Sequence, residues 1–279
     1  MKLRIITSVG IAVFGIPLLI FSQYIIFQIA LAALSGIAVY EALGALGKRR
    51  DLFLAIPAYL IAVAAPFSAY FVNDSWRIKY ILILCFALFA YMMWSFGVSV
   101  FRLGELKFGD ATASFAFLTY ITVAFSALAL IRNVGDGVQG ALYLGLVFTA
   151  AWATDVFAYF TGYFFGKHKL IPKVSPKKTV EGSIGGIVFA TLGFLLYGFI
   201  VDMATAYEVN YLVLALSGFV LSIVAQIGDL TASLVKREHG IKDYGVIFPG
   251  HGGVLDRFDS VIAVAAPLMI ICLVFPPFV

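Results

Sequence analysis

Apolar residues run along this chain in blocks of about 20, separated by short polar stretches. A helix rising about 1.5 Å per residue needs roughly 20 such residues to cross a hydrocarbon layer about 30 Å thick. The pattern predicts nine spanning helices, near residues 5–22, 24–45, 52–72, 80–101, 111–131, 141–165, 183–203, 210–235 and 257–276. The first block also resembles a signal peptide in its charged start and apolar run, but no small-residue cleavage site follows at the right distance, so it is read as the first helix. The fold expected is all-α and polytopic, in three parts. Residues 1–110 carry the first four helices, 111–182 the next two with a basic loop, and 183–279 the last three with a second polar loop.

Composition agrees with a bilayer as solvent. The 279 residues are 62% hydrophobic and only 12% charged, with a mean hydropathy of +1.03. A water-soluble domain carries about twice that share of charge. Basic residues then orient the helices, because cytoplasmic loops collect lysine and arginine. With the N-terminus inside and the C-terminus outside, 16 of the 19 basic residues fall in inner segments, leaving only Arg77, Lys79 and Arg132 outside. The net charge of +4 is therefore read as orientation rather than as a nucleic-acid surface. Cys85 and Cys272 lie within apolar runs and are read as small buried hydrophobes.

Chemistry concentrates in the two longest inner loops, "GKHKLIPKVSPKKTVEG" at 166–182 and the stretch from Lys236 to Arg257. Asp229 lies inside the eighth block, with Ser233 and Lys236 on its helical face, and a carboxylate at that depth calls for a partner. Asp256 and Asp259 are three apart at the start of the last helix. Together these three carboxylates suit Mg²⁺, which takes one or two protein carboxylates and completes its octahedron with water and phosphate oxygens. Salt bridges to Arg237, Lys242 and Arg257 explain the same acids, and spacing leaves both readings open. Asp155 and Glu41 could join either network. In "PGHGG" the glycines Gly252 and Gly253 let backbone N–H groups approach an anion, and His251 is placed to donate a hydrogen bond or exchange a proton. "GDGVQG" at 135–140 fits a dinucleotide pattern but follows an apolar helix instead of a strand, and is set aside.

Taken whole, "SLVKREHGIKDYGVIFPGHGGVLDRFD" from Ser233 to Asp259 resembles the signature of the CDP-diacylglycerol synthases, also called phosphatidate cytidylyltransferases. Its fixed positions are met by Ser233, Lys236, Arg237, Lys242, Asp243, Gly245, Pro249, His251, Gly252, Gly253, Asp256, Arg257 and Asp259. "SPKKTVEGSIGG" from Ser175 to Gly186 is similar to a second segment of that family. The resemblance implies an enzyme that makes CDP-diacylglycerol and pyrophosphate from phosphatidate and CTP, with Mg²⁺ and a second cation such as K⁺. It implies Asp229 and Asp256 as leading metal ligands with Asp259 beside them, and Asp243 as part of the catalytic loop. It also implies a homodimer in the cytoplasmic membrane with its active site facing the cytosol. Lys236, Arg237, Lys242 and Arg257 would then offset phosphate charge, while Lys177, Lys178, Thr179 and Glu181, with Ser175, would meet a phosphate or the nucleotide. Lys167, Lys169 and Lys173 are assigned to orientation. A cation-coupled transporter is the rival reading of acids within apolar helices, and it predicts an inverted repeat that the sequence does not show.

Overall fold

The computed structural model describes Gly10, Val13 and residues 15–279. Lys2, Arg4 and residues 5–9, 11, 12 and 14 of the expected 5–22 helix lie outside the described residues, and residues 15–20 are helical. Eight further helices follow: α1 (Ile25–Ala45), α2 (Leu52–Ser68), α3 (Arg77–Phe101), α4 (Phe108–Arg132), α5 (Val138–Phe165), α6 (Val180–Ala204), α7 (Tyr211–Glu238) and α8 (Leu255–Val274). Each, α2 together with the 3₁₀ turn that continues it, is long and apolar enough to cross a membrane. The protein is a multi-pass membrane protein, and each of these helices matches an expected block. One feature departs from the all-helical reading. Residues 166–182 hold a two-stranded antiparallel hairpin, β1 (Lys169–Ile171) and β2 (Ser175–Thr179), with Lys169 opposite Thr179 and Ile171 opposite Ser175. Pro172 and Pro176 remove helical N–H donors there, so the loop closes through strand pairing.

The chain forms two compact units, residues 1–134 with 239–257, and 135–238 with 258–279. In the first, α4 is the most buried helix and packs against α1, α2 and α3. Helix α3 is the least buried, and Ile78, Leu82 and Phe86 on it point outward. In hydrocarbon such exposure carries no penalty, so polar contacts decide where the helix sits. Pro57 inside α2 leaves the carbonyl of Phe53 without its helical donor, and the Trp94 indole N–H of α3 donates to it at 2.8 Å. The Tyr80 hydroxyl donates to the Ala65 carbonyl at 2.8 Å, making a second tie between the same helices. At the turns, Arg102 grips both carboxylate oxygens of Asp51 at 3.0 and 2.9 Å, and Lys48 pairs with Asp110 at 2.8 Å.

The second unit is built on close backbone approach. A Cβ on Gly182 would stand 2.6 Å from the Ala158 carbonyl and 3.1 Å from Gly162 Cα, and one on Gly186 would stand 3.0 Å from the Thr154 carbonyl. Gly162, Gly182 and Gly186 thus mark the seam where α5 and α6 meet. Helix α7 joins α6 through Ser183, whose hydroxyl donates to Gln226 Oε1 at 2.5 Å while Gln226 Nε2 returns a bond to the Ser183 carbonyl at 3.2 Å. The chain end is secured by Tyr143 and Gln139, which both donate to the Phe278 carbonyl, and by reciprocal backbone bonds between Glu208 and Val279. Before α5, Asp136 accepts from the amides of Val138 and Gln139 and from the Tyr207 hydroxyl. These bonds, the Gln139 amide foremost, hold its carboxyl below the usual range.

A side chain at the glycine seam should force the helices apart. Gly182→Val is expected to destabilise the protein by about 1–3 kcal/mol through overpacking, whereas Gly193→Ala, at a position with only ordinary contacts on the same helix, should change little. Thermal unfolding of the two variants in detergent checks the difference.

Candidate active site

In the first unit the signature loop is organised around two buried carboxylates. Glu41 of α1 is 3% exposed, and its Oε1 and Oε2 accept from the amides of Val254 and Leu255, both at 3.0 Å. These amides belong to the first turn of α8, where helical N–H groups lack internal partners and the dipole favours an anion. A carboxylate from a distant helix thus caps α8. Gly245 and Gly253 pack so closely on Glu41 that a Cβ at either would overlap its carboxylate. The second carboxylate is Asp256, 9% exposed, whose Oδ2 accepts from the amides of Tyr244 at 2.7 Å and Gly253 at 2.9 Å.

Between these anchors the loop turns sharply. Gly250 and Gly252 take φ of 79° and 86°, the left-handed region that glycine tolerates, while the Gly252 carbonyl accepts from Phe248 N at 2.9 Å. Arg257 Nε donates back to the His251 carbonyl at 2.9 Å. The result is a polar cavity of about 450 Å³ lined by Lys242, Asp243, His251, Gly252 and Arg257, with Val246, Phe248 and Pro249 as its apolar part. Five of the sequence-predicted site residues therefore share one cavity, and Gly253 stands behind it against Glu41.

In the second unit Asp155 of α5, Asp229 of α7 and Asp259 of α8 lie within electrostatic reach of one another, with Lys178 and Lys236 as the neighbouring cations. Lys178 forms an ion pair with Asp229, and the Ser233 hydroxyl reaches Asp229 Oδ1 at 3.5 Å. The Ser260 hydroxyl donates to Asp155 Oδ2 at 3.1 Å, and the Ser260 amide donates to Asp259 Oδ1 at 2.8 Å. Arg237 Nε reaches the Val174 carbonyl in the hairpin turn at 3.4 Å. Thr179 caps α6 by accepting from the Gly182 amide at 3.1 Å, and Glu181 holds His168 through the ring Nδ1 at 2.6 Å and the backbone amide. A cavity of about 580 Å³ opens beside this cluster, lined among others by Asp155, Lys177, Lys178, Gln226 and Asp229.

No group of three or more His, Cys, Asp or Glu among the described residues is arranged as a metal-binding set. Mg²⁺ requires fewer protein ligands, because water and substrate phosphate supply the rest. Asp155, Asp229 and Asp259 offer the carboxylate oxygens that such a cation prefers. Sequence reasoning left Glu41 without a role and passed over Ser260 and Gln226. The available signal for Glu41 was an acid inside an apolar helix, which implies a partner without naming it.

The chain matches the model of the cytidylyltransferase family over residues 2–275. It is 34% identical over 281 residues to the phosphatidate cytidylyltransferase of Staphylococcus haemolyticus, covering 98% of this chain and 99% of that protein. It is 33% identical over 280 residues to the enzyme of the same name from Staphylococcus saprophyticus, with 98% and 99% covered. The phosphatidate cytidylyltransferase of Brucella abortus is 45% identical over 151 residues, 54% of each chain. The protein belongs to the cytidylyltransferase family.

The Glu41 cap carries its own expectation. Glu41→Ala strands two buried amides at about 1–3 kcal/mol each, and Glu41→Gln opposes an NH₂ to one of them at roughly half that cost. Denaturation midpoints in detergent should fall in the order wild type, Gln, Ala, with protease cleavage in the loop after His239 rising in the same order.

Proposed function

We propose that the protein is a phosphatidate cytidylyltransferase: a phosphate oxygen of phosphatidate attacks the α-phosphorus of CTP, the bond to the β-phosphate breaks, and CDP-diacylglycerol and pyrophosphate are released. The observation that carries this reading is the complete signature from Ser233 to Asp259 within a chain similar over nearly its whole length to enzymes of that name.

Two anions have to meet, so positive charge must be supplied before in-line geometry can help. Lys236 and Arg237 would supply it from α7, and Lys242 and Arg257 from the signature loop. His251 and the amides around Gly252 and Gly253 would hold a phosphate oxygen, with Asp243 orienting the cationic side chains. Asp229, Asp256 and Asp259 are the proposed ligands of Mg²⁺, and Asp229 and Asp259 belong to one carboxylate cluster. Bound there, Mg²⁺ would offset polyphosphate charge and the charge that develops on the departing pyrophosphate. A second cation such as K⁺ would share this acidic region. Phosphatidate, a phosphomonoester with a second pKa near 6, is largely dianionic at neutral pH and needs no dedicated base. Ser175, Lys177, Lys178, Thr179 and Glu181 form the proposed substrate-facing end of the second unit. In this reading residues 183–279 are the catalytic part, 111–182 contribute the basic hairpin and 1–110 the N-terminal helices. The working form is a homodimer in the cytoplasmic membrane, oriented with the N-terminus and the site toward the cytosol, as the charge bias of the loops supports.

Purified protein given phosphatidate, CTP and Mg²⁺ is expected to release pyrophosphate, and a chelator should abolish release. Asp256→Asn should lower kcat by about 10²-fold or more if the residue acts on a charge-bearing centre, with the protein still folded by circular dichroism. Full turnover in that variant would remove the ligand role of Asp256.

A further inference from the structure

The reaction needs a water-borne nucleotide and a membrane-borne lipid, and the two cavities differ in the way those substrates differ. The signature-loop cavity is polar and made almost wholly of loop residues. The cavity of the second unit is amphiphilic. One side is the α5 face of Ala158 and Gly162, with Tyr159 and Tyr163 at 66% and 73% exposure on the same helix. The other side is the hairpin, which brings Lys169 from β1 beside Lys177 and Lys178 from β2. Exposed tyrosines next to an apolar wall suit the level where acyl chains meet head groups.

Charge then separates the lysines. Lys178 is committed to Asp229, whereas Lys169 and Lys177 enter no ion pair among the described residues. With Asp155 and Asp229 also lining the cavity, an anion is favoured only at its hairpin end. A ligand with an anionic phosphate at one end and hydrocarbon at the other matches this layout. At about 580 Å³ the space takes a glycerol phosphate head group while the tails continue past the tyrosines into lipid.

We infer that this cavity is the phosphatidate subsite, with Lys169 and Lys177 holding the phosphomonoester, and that CTP binds elsewhere. The inference rests on the proposed activity and assigns Lys169 a substrate contact beyond its part in orientation.

Steady-state kinetics in mixed micelles tests it, varying the surface fraction of phosphatidate at saturating CTP and then the reverse. Lys169→Gln and Lys177→Gln should each raise KM for phosphatidate by about tenfold, the loss expected for one charge-assisted contact, and leave KM for CTP within about twofold. Lys169→Arg should restore most of the loss. A rise in KM for CTP with phosphatidate unchanged, or no change in either, overturns the assignment. Should a glutamine variant fail to fold, wild-type protein labelled by a phosphatidate analogue with a photoreactive acyl chain decides. Label within residues 158–170 supports the subsite, and label confined to residues 1–134 and 239–257 refutes it. Wild-type protein that releases no pyrophosphate from phosphatidate and CTP is a different result, which refutes the activity itself.

Discussion

A backbone N–H or carbonyl in hydrocarbon has no water to accept it, so each one that the helices leave over must find a partner within the protein. That constraint organises the signature loop. The first turn of α8 offers unpaired amides, and Glu41, fixed on α1, takes two of them. Asp256 then takes the amides of Tyr244 and Gly253, so the polar loop is held by charge-assisted bonds on both sides of its turn. Gly245 and Gly253 are small because Glu41 occupies the room a side chain would need. The glycines here serve close packing on an anion as well as turn geometry.

The same constraint explains why carboxylates are safe at such depth. Each of these acids has donors: amides for the buried Glu41 and Asp256, a serine hydroxyl for Asp155, a lysine for Asp229. Yet in the second unit Asp155, Asp229 and Asp259 remain close to one another, and their mutual repulsion is only partly offset by Lys178 and Lys236. A region left short of positive charge is suited to receive a cation, and a phosphate-bearing substrate that arrives with one meets a complementary field.

Much of this was legible in the sequence. Hydropathy located the eight long helices because lipid selects apolar blocks directly, and the signature marked out the loop residues that share one cavity. Other features depend on pairings that no single segment encodes. Nothing near Glu41 says that its partners are amides more than 200 residues later, as the contacts with Val254 and Leu255 require. The hairpin at 166–182 is short and basic, and its strand pattern is masked by Pro172 and Pro176, which announce only that a helix will not form. Lys169 illustrates the limit well. Of Lys167, Lys169 and Lys173, all assigned to orientation from the sequence, Lys169 is the one that lines the cavity, where strand pairing brings it beside Lys177 and Lys178.

The proline in α2 has an effect beyond its own helix. Apolar helices can slide past one another in a bilayer with little change in energy, since lipid and leucine are nearly equivalent neighbours. The oxygen stranded by Pro57 removes that freedom, because the indole of Trp94 can reach it at one height alone. A residue usually regarded as a helix breaker thereby sets the vertical register between two helices that hydrophobicity would leave free to drift.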